Sequence, residues 1–443
     1  MNQHTRMTET PIRKLTLSLA LPSVVSLMIT TLYNMADTWF VSRLGTQAVA
    51  AVGVSFAIME AINSVGYLFG TGGGTRIGML LGAQKTKEAS RVGSTACFFA
   101  LSVSILFSVF GLLFLSPLMR LLGSSDTILP YARRYGCFML LGFPIMALSV
   151  VLATFLRSEG KNRYSMIGIG TGGVLNLFLD PLFIFVFQMG IIGAALATFV
   201  SQCVSLVLLC SFFFFGKSEI KLTPAAVSLS PRLLKTITVA GTPSLCRHGI
   251  GSLYSIAQNT AAGLFGGDAL IAALSVVSKV SAVVLALLKG LSQGAQSVYS
   301  YCHGAGRDDR VRASWRFSLL LNQALILIIS VLGYFFAPAL LSLFSGIDPE
   351  AVGLGITGLR LNLVGLVFMP FGFSVNILFQ AVGLPWRSTF LALLPQGIFY
   401  IPAVFLLPQV FGPSGIFLAP LAAYLLTDLV TMPFILLYFR QKG

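Results

Sequence analysis

Residues 45–52 read Gly-Thr-Gln-Ala-Val-Ala-Ala-Val, and residues 267–274 read Gly-Asp-Ala-Leu-Ile-Ala-Ala-Leu. The two octets are 222 residues apart (45 to 267). Gly82-Ala-Gln-Lys and Gly304-Ala-Gly-Arg keep that spacing, as do Gly193 and Gly415, while Gly160 and Gly383 are 223 apart. Three correspondences in one register, with a fourth one residue off it, mark a chain built twice from one unit.

Each unit is a set of long apolar runs. They cover roughly 14–42, 48–82, 92–122, 130–156, 164–188, 190–215, 232–264, 268–302, 314–344, 352–382, 388–411 and 414–439. A helix needs about 20 apolar residues to cross a bilayer, so all twelve qualify; the ten-residue alternation of a β-barrel is absent. The longest polar stretch, Gly216–Pro231, falls between the sixth and seventh runs. Six spans per unit give both units the same topology, a parallel repeat about an axis along the membrane normal. The expected fold is therefore all-α and polytopic: twelve transmembrane helices in two pseudo-two-fold-related six-helix bundles. Its divisions are residues 1–215, a linker over 216–231, and residues 232–443.

Composition agrees. Of 443 residues, 56% are hydrophobic and 10% charged, against roughly 25% charged in soluble domains. The net charge of +15 would suggest nucleic acid in a soluble chain, but the positions of the charges explain it otherwise. With the N-terminus placed in the cytoplasm, 20 Lys and Arg fall on inside segments, from Arg6 and Arg13 to Arg440 and Lys442. Arg157 and the loop run Arg307–Arg312 are among them. Only four (Arg43, Arg120, Arg133, Arg134) fall outside. That asymmetry puts both termini inside and removes the case for nucleic acid. The expected setting is a prokaryotic cytoplasmic (inner) membrane with a monomeric, multi-pass protein in it; the first run is long enough to stay as a span, so no cleaved signal is expected. The six cysteines sit singly in apolar runs, with no metal-like spacing, and read as reduced packing residues.

Charged groups in the spans are costly, about 2.5–3.5 kcal/mol even on the lenient insertion scale. The acids there are Asp37, Glu60, Asp180 and Asp428. Counting at 1.5 Å per residue, Asp37 lies roughly 9 Å, Asp180 roughly 12 Å and Thr198 roughly 10 Å below the outer surface. Tyr33 precedes Asp37 by four residues and Asn176 precedes Asp180 by four, which puts each pair on one helix face. Two carboxylates, an amide, a hydroxyl and a phenol in one layer suit a proton or a hard cation such as sodium at Asp37 and Asp180. The plainer reading is a hydrogen-bonded clip between helices. Pro22 and Pro181 lie inside spans and are either static kinks or hinges.

The second unit has no such acid pair; Asn259 stands where Asp37 would fall. It carries Arg247, His248, Lys279 and Arg360 instead. Glu60, Arg247, Lys279, Arg360 and Asp428 are candidates to line a central cavity. Glu60 either lines it or pairs with Lys279, and Asp428 either lines it or pairs with one of the basic groups. His248 reads as a helix–helix hydrogen bond. Gly70-Thr-Gly-Gly-Gly-Thr75 has no preceding strand, so it reads as close helix packing and not phosphate binding.

Several segments resemble the multidrug and toxic compound extrusion (MATE) family in its bacterial MepA-like and DinF-like branch. They are Pro22 followed by Tyr33-Asn-Met-Ala-Asp37-Thr-Trp-Phe-Val, Leu80-Leu-Gly-Ala-Gln-Lys85, Leu156-Arg-Ser-Glu-Gly160, Asn176-Leu-Phe-Leu-Asp180-Pro181, and Gly241-Thr-Pro243-Ser with Arg247. The resemblance implies two six-helix lobes around a cavity, alternating access, and a cation site in the first lobe at Tyr33, Asp37, Asn176, Asp180 and Thr198. Another branch places acids on the seventh and tenth helices, and this chain has none there. The expected function is a secondary active multidrug exporter, exchanging H+ or Na+ for cationic amphipathic small molecules, with no other cofactor. The alternatives are a lipid-linked oligosaccharide flippase or an exporter of an anionic or zwitterionic metabolite. An enzyme is not expected, because no catalytic constellation is present among so few histidines.

Overall fold

A computed structural model describes residues 3–342 and 349–441. The chain opens with a short helix, α1 (Gln3–Glu9). The first half then follows as α2 (Ile12–Ser42), α3 (Thr46–Gly82), α4 (Thr86–Leu113), the short α5 (Leu115–Leu121), α6 (Leu129–Ser158), α7 (Asn162–Pro181) and α8 (Ile191–Phe214). The second half comprises α9 (Pro231–Gly304), α10 (Asp308–Ser342), α11 (Pro349–Leu366), α12 (Met369–Ala381), α13 (Pro385–Leu393), α14 (Tyr400–Phe411) and α15 (Ser414–Gln441).

Among the described residues, ten segments are long and apolar enough to cross a membrane, and α11 with α12, bent by 45°, form an eleventh. The first arm of α9, residues 231–266, supplies the twelfth by length and position. Its composition hides it, because Arg247, His248, Gln258 and Asn259 interrupt the apolar run. α9 is itself two helices that meet at Gly267, where φ is +60°. The run read as 92–122 divides into α4 and α5. Large apolar side chains on the outer faces, such as Phe110, Phe335 and Leu429, are exposed, as lipid-facing residues must be.

The repeat is visible in the backbone. Gly45 and Gly267, 222 apart, both have positive φ, +107° and +60°. At the ends of α3 and α9, Gln84 and Gly306 occupy the left-handed region at +59° and +72°. The first unit tolerates a glutamine where the second has glycine, at some cost in strain.

The halves meet where α2 and α3 pack against α9. Toward the end of the molecule that carries both termini, this contact is backbone on backbone. A Cβ on Gly72 or Gly241 would strike the facing backbone of the other helix, at Ile237 and Leu68. Gly290 and Gly294 admit α2 at Val24 and Ala20 in the same way. The glycine cluster 70–74 serves packing, with Gly70 against Val151 and Gly73 against Ala96 and Phe155.

α1 lies across this closed end. Met7 is fully buried; Gln3 Nε2 donates to the Glu159 carbonyl of the first half at 2.5 Å, and Arg310 Nη2 of the second donates to the Thr10 carbonyl at 2.5 Å. The run Arg307–Arg312, expected as a loop, is mostly the first turn of α10, with Arg310 buried. Arg157, counted among the inside loop charges, is also buried, at the end of α6. Membrane depth and helix ends cannot be read from charge alone. Lys442 lies outside the described residues.

Candidate functional site

The acids of the first half sit inside its own bundle. Asp180 on α7 is fully buried, with Asn176 and Thr198 beside it. Asn176 Nδ2 donates to Asp180 Oδ1 at 3.1 Å and to Thr198 Oγ1 at 3.4 Å. Thr198 Oγ1 gives its own proton to the Ala194 carbonyl at 3.2 Å. Asp37 on α2 is close enough to Asp180 for their charges to interact. Tyr33 feels both and packs on Gly173 of α7, where a side chain would collide with its ring.

The structure thus brings together Tyr33, Asp37, Asn176, Asp180 and Thr198. It adds Tyr135 on α6, buried and within electrostatic reach of Asp37 and Asp180. Sequence reading missed Tyr135 because a tyrosine is not costly in a bilayer; its only signal was depth.

Three buried oxygens here have no hydrogen-bond donor among the described residues: Asp37 Oδ1, Asp180 Oδ2 and Asn176 Oδ1. Buried acceptors without donors are expensive. A proton or a small cation between the carboxylates would satisfy them, and a sodium ion suits this all-oxygen set. No group of three or more acids, histidines and cysteines that could hold a metal occurs among the described residues.

A cavity of about 1070 Å³ lies between the halves. On α2 it is lined by Leu27, Thr30, Thr31, Asn34 and Thr38, whereas Tyr33 and Asp37 are not in its wall. Tyr33 and Asp37 therefore lie beside the cavity-lining surface of α2 and outside it. Trp39 and Val49 line the cavity near the end away from the termini, and Arg157 and Gln296 line its floor. Beyond the floor are the glycine contacts between α3 and α9.

Of the proposed lining residues, Glu60, Arg247, Lys279 and Asp428 face the cavity, and Arg360 does not. Arg360 lies between α10 and α11, donating to the Tyr334 carbonyl at 3.2 Å and stacking over the Tyr334 ring. Helical position alone did not reveal which side of α11 meets a neighbour. Glu60 pairs with His248 at 3.3 Å, not with Lys279; His248 in turn stacks on Tyr67 at 4.7 Å. Asp428 makes no ion pair with a basic group among the described residues and accepts the Gly372 N–H at 3.1 Å. Lys289, Arg157 and Gln293 also face the cavity and were not singled out from sequence.

Pro22 lies within an unbroken α2. Close by, Asn162 Nδ2 of α7 donates to the Leu19 carbonyl at 2.8 Å and the Ser23 hydroxyl at 3.0 Å. Pro181 ends the regular part of α7, and a π-turn over Leu182–Val186 follows.

Known proteins place this architecture. The MatE family model matches residues 22–182 and 243–406. The chain is 25% identical over 414 residues to the multidrug export protein MepA of Staphylococcus saprophyticus, covering 93% of this chain and 91% of that one. It is 24% identical over 429 residues to MepA of Staphylococcus aureus strain MRSA252, covering 96% and 93%. The fold matches a solved outward-facing multidrug resistance transporter of the MATE family with a TM-score of 0.92, at 24% identity over 97% of this chain and 96% of that one.

Proposed function

The chain belongs to the MatE family, and we propose that it is a secondary active exporter of cationic amphipathic small molecules, driven by H+ or Na+ entry at Asp37 and Asp180. The carrying observation is the set of donorless acceptor oxygens on Asp37, Asp180 and Asn176, set behind the cavity face of α2. Its relatives' naming as multidrug export proteins and a cavity large enough for a drug-sized ligand support the same reading.

In this reading the closed end, with both termini, faces the cytoplasm of a prokaryotic cell, and the cavity opens outward. The protein acts as a monomer in the bilayer and catalyses no covalent chemistry. A cation that neutralises the acid cluster removes the repulsion between Asp37 and Asp180 and draws α2 toward α7. Because α2 also walls the cavity, that movement reshapes the substrate site, with Pro22 and Pro181 as the points of bending. One charge crossing 100 mV supplies about 2.3 kcal/mol, enough for roughly a fifty-fold bias between states.

The test is ethidium efflux from energised cells lacking their own pumps, with wild type, Asp37→Asn and Asp180→Asn at matched expression. Efflux by wild type and its loss in both variants is expected. Undiminished efflux in the variants would show that coupling lies elsewhere.

A further inference from the structure

We propose that the second-half wall of the cavity holds an anion subsite, formed by Arg247 and Lys289, that takes the carboxylate of zwitterionic amphipathic substrates. This rests on the export reading above and extends its substrate class from simple cations to cations that also carry a carboxylate.

Four cationic side chains face the cavity, Arg157, Arg247, Lys279 and Lys289, against two acids, Glu60 and Asp428. Neither acid neutralises them by contact: Glu60 is engaged by His248 and Asp428 by the Gly372 amide. Arg247 is held by neutral oxygens alone. Its Nη1 donates to Asn376 Oδ1 at 2.5 Å, and its Nη2 to Ser244 Oγ at 2.7 Å and Gln380 Oε1 at 2.9 Å.

Those acceptors are fixed in turn, since Gln380 Nε2 donates to the Ala240 carbonyl at 3.1 Å and Asn376 Nδ2 to the Ser388 carbonyl at 2.5 Å. The guanidinium is therefore oriented without being neutralised. Lys289 has no hydrogen bond or close ion pair among the described residues, and feels the Glu60 charge more strongly than that of Arg247.

Cationic groups with no acid in contact are costly in a membrane protein. Arg247 by itself is explained as a clip between α9 and α12. Lys289 clips nothing, and like charges on one cavity wall repel. Their joint presence on a cavity wall is accounted for by a bound anion, for which an oriented guanidinium with an ammonium on the same wall is well suited. Glu60 and Asp428 in the same cavity offer negative charge to the substrate's cationic part, so a zwitterion matches the wall better than a simple cation.

The probes are a rhodamine with a free benzoate and its methyl ester, which share the cationic ring system and differ by one negative charge. Equilibrium binding to the purified full-length protein in detergent is followed by fluorescence polarisation, for wild type, Arg247→Gln and Lys289→Gln. Wild type is expected to bind the acid more tightly than the ester. Each substitution is expected to weaken acid binding about ten-fold, the size of a lost charge-assisted contact, and to leave the ester within about two-fold. Equal effects on both dyes, or none, overturn the subsite and leave Arg247 a clip; Lys289→Gln decides the matter if Arg247→Gln does not fold. Efflux of the ester in cells, with and without Asp37→Asn, tests the export reading separately. Exported ester with no acid preference sinks only the subsite, and acid preference without export of either dye sinks only the export reading.

Discussion

Gly82 on α3 and Gly304 on α9, equivalent positions of the two units, meet at a single crossing. A Cβ on Gly82 would strike the Tyr301 carbonyl, and one on Gly304 would strike the Met79 carbonyl. The contact is reciprocal, as a two-fold axis between parallel repeats demands. It closes the end of the molecule at which both termini lie.

Gly82→Ala and Gly304→Ala should each open this seam. Backbone cannot yield as a side chain can, so the cost is at the upper end of the ~1–3 kcal/mol typical of overpacking. Cys302, free and fully buried beside the crossing, is the reporter. In a variant retaining only that cysteine, maleimide labelling should rise at least several-fold on either substitution. Unchanged labelling would mean that the glycines are not what holds the end shut.

Asn176→Leu should impair the ion site while keeping its volume nearly intact. Asn176 supplies the one hydrogen bond to Asp180 found among the described residues. Losing a donor to a buried group costs about 1–3 kcal/mol, so the H+ or Na+ concentration for half-maximal efflux should shift by about ten-fold or more. Tyr135→Phe, which removes only a hydroxyl, should shift it less. The check is dye efflux in proteoliposomes over a range of imposed ion gradients.

Met7→Ala should destabilise the whole protein, although Met7 precedes every span. It is fully buried at the closed end, and Met→Ala in a core typically costs about 2–5 kcal/mol. Thermal unfolding in detergent should show a clear fall in midpoint. No change would mean that α1 is dispensable to the folded state.

Glu159 should give stability a pH dependence. Burial pushes its carboxyl above the ordinary value of 4.5, against the Ser218 hydroxyl, the Glu219 amide, the Lys161 charge and the Ile220 amide, which lower it. The folded state then holds this proton more tightly than the unfolded chain. Its contribution is greatest below the ordinary value, declines as pH rises through the raised one, and is constant above. The difference in unfolding midpoint between wild type and Glu159→Gln should therefore move against wild type as pH rises through that window. A difference independent of pH would refute the assignment.

Much of this protein was legible because a bilayer makes certain residues expensive. Apolar runs of spanning length gave the helices, and the spacing of 222 residues gave the two units. Asp37 and Asp180 stood out as carboxylates in apolar surroundings, and i, i+4 spacing attached Tyr33 and Asn176 to them. Tyr135 carried no such signal. Arg157 and Arg310 were misread for another reason: charge near a helix end is usually solvated, yet here the neighbouring helices and α1 bury it.

The sequence by itself determined the class, the repeat and the composition of the acid layer, since these follow from hydrophobicity, periodicity and the cost of charge. Only the tertiary structure decided which way each face turned. Periodicity says which residues share a face, but not what that face meets. The same helical rule applies to Arg360 and Arg247, yet Arg360 stacks on Tyr334 outside the cavity while Arg247 enters its wall. Packing likewise gave Glu60 to His248, kept Tyr33 and Asp37 out of the cavity wall, and brought Gly82 against Gly304. These are contacts between segments far apart in the chain, and they depend on how the helices cross, which no local pattern records.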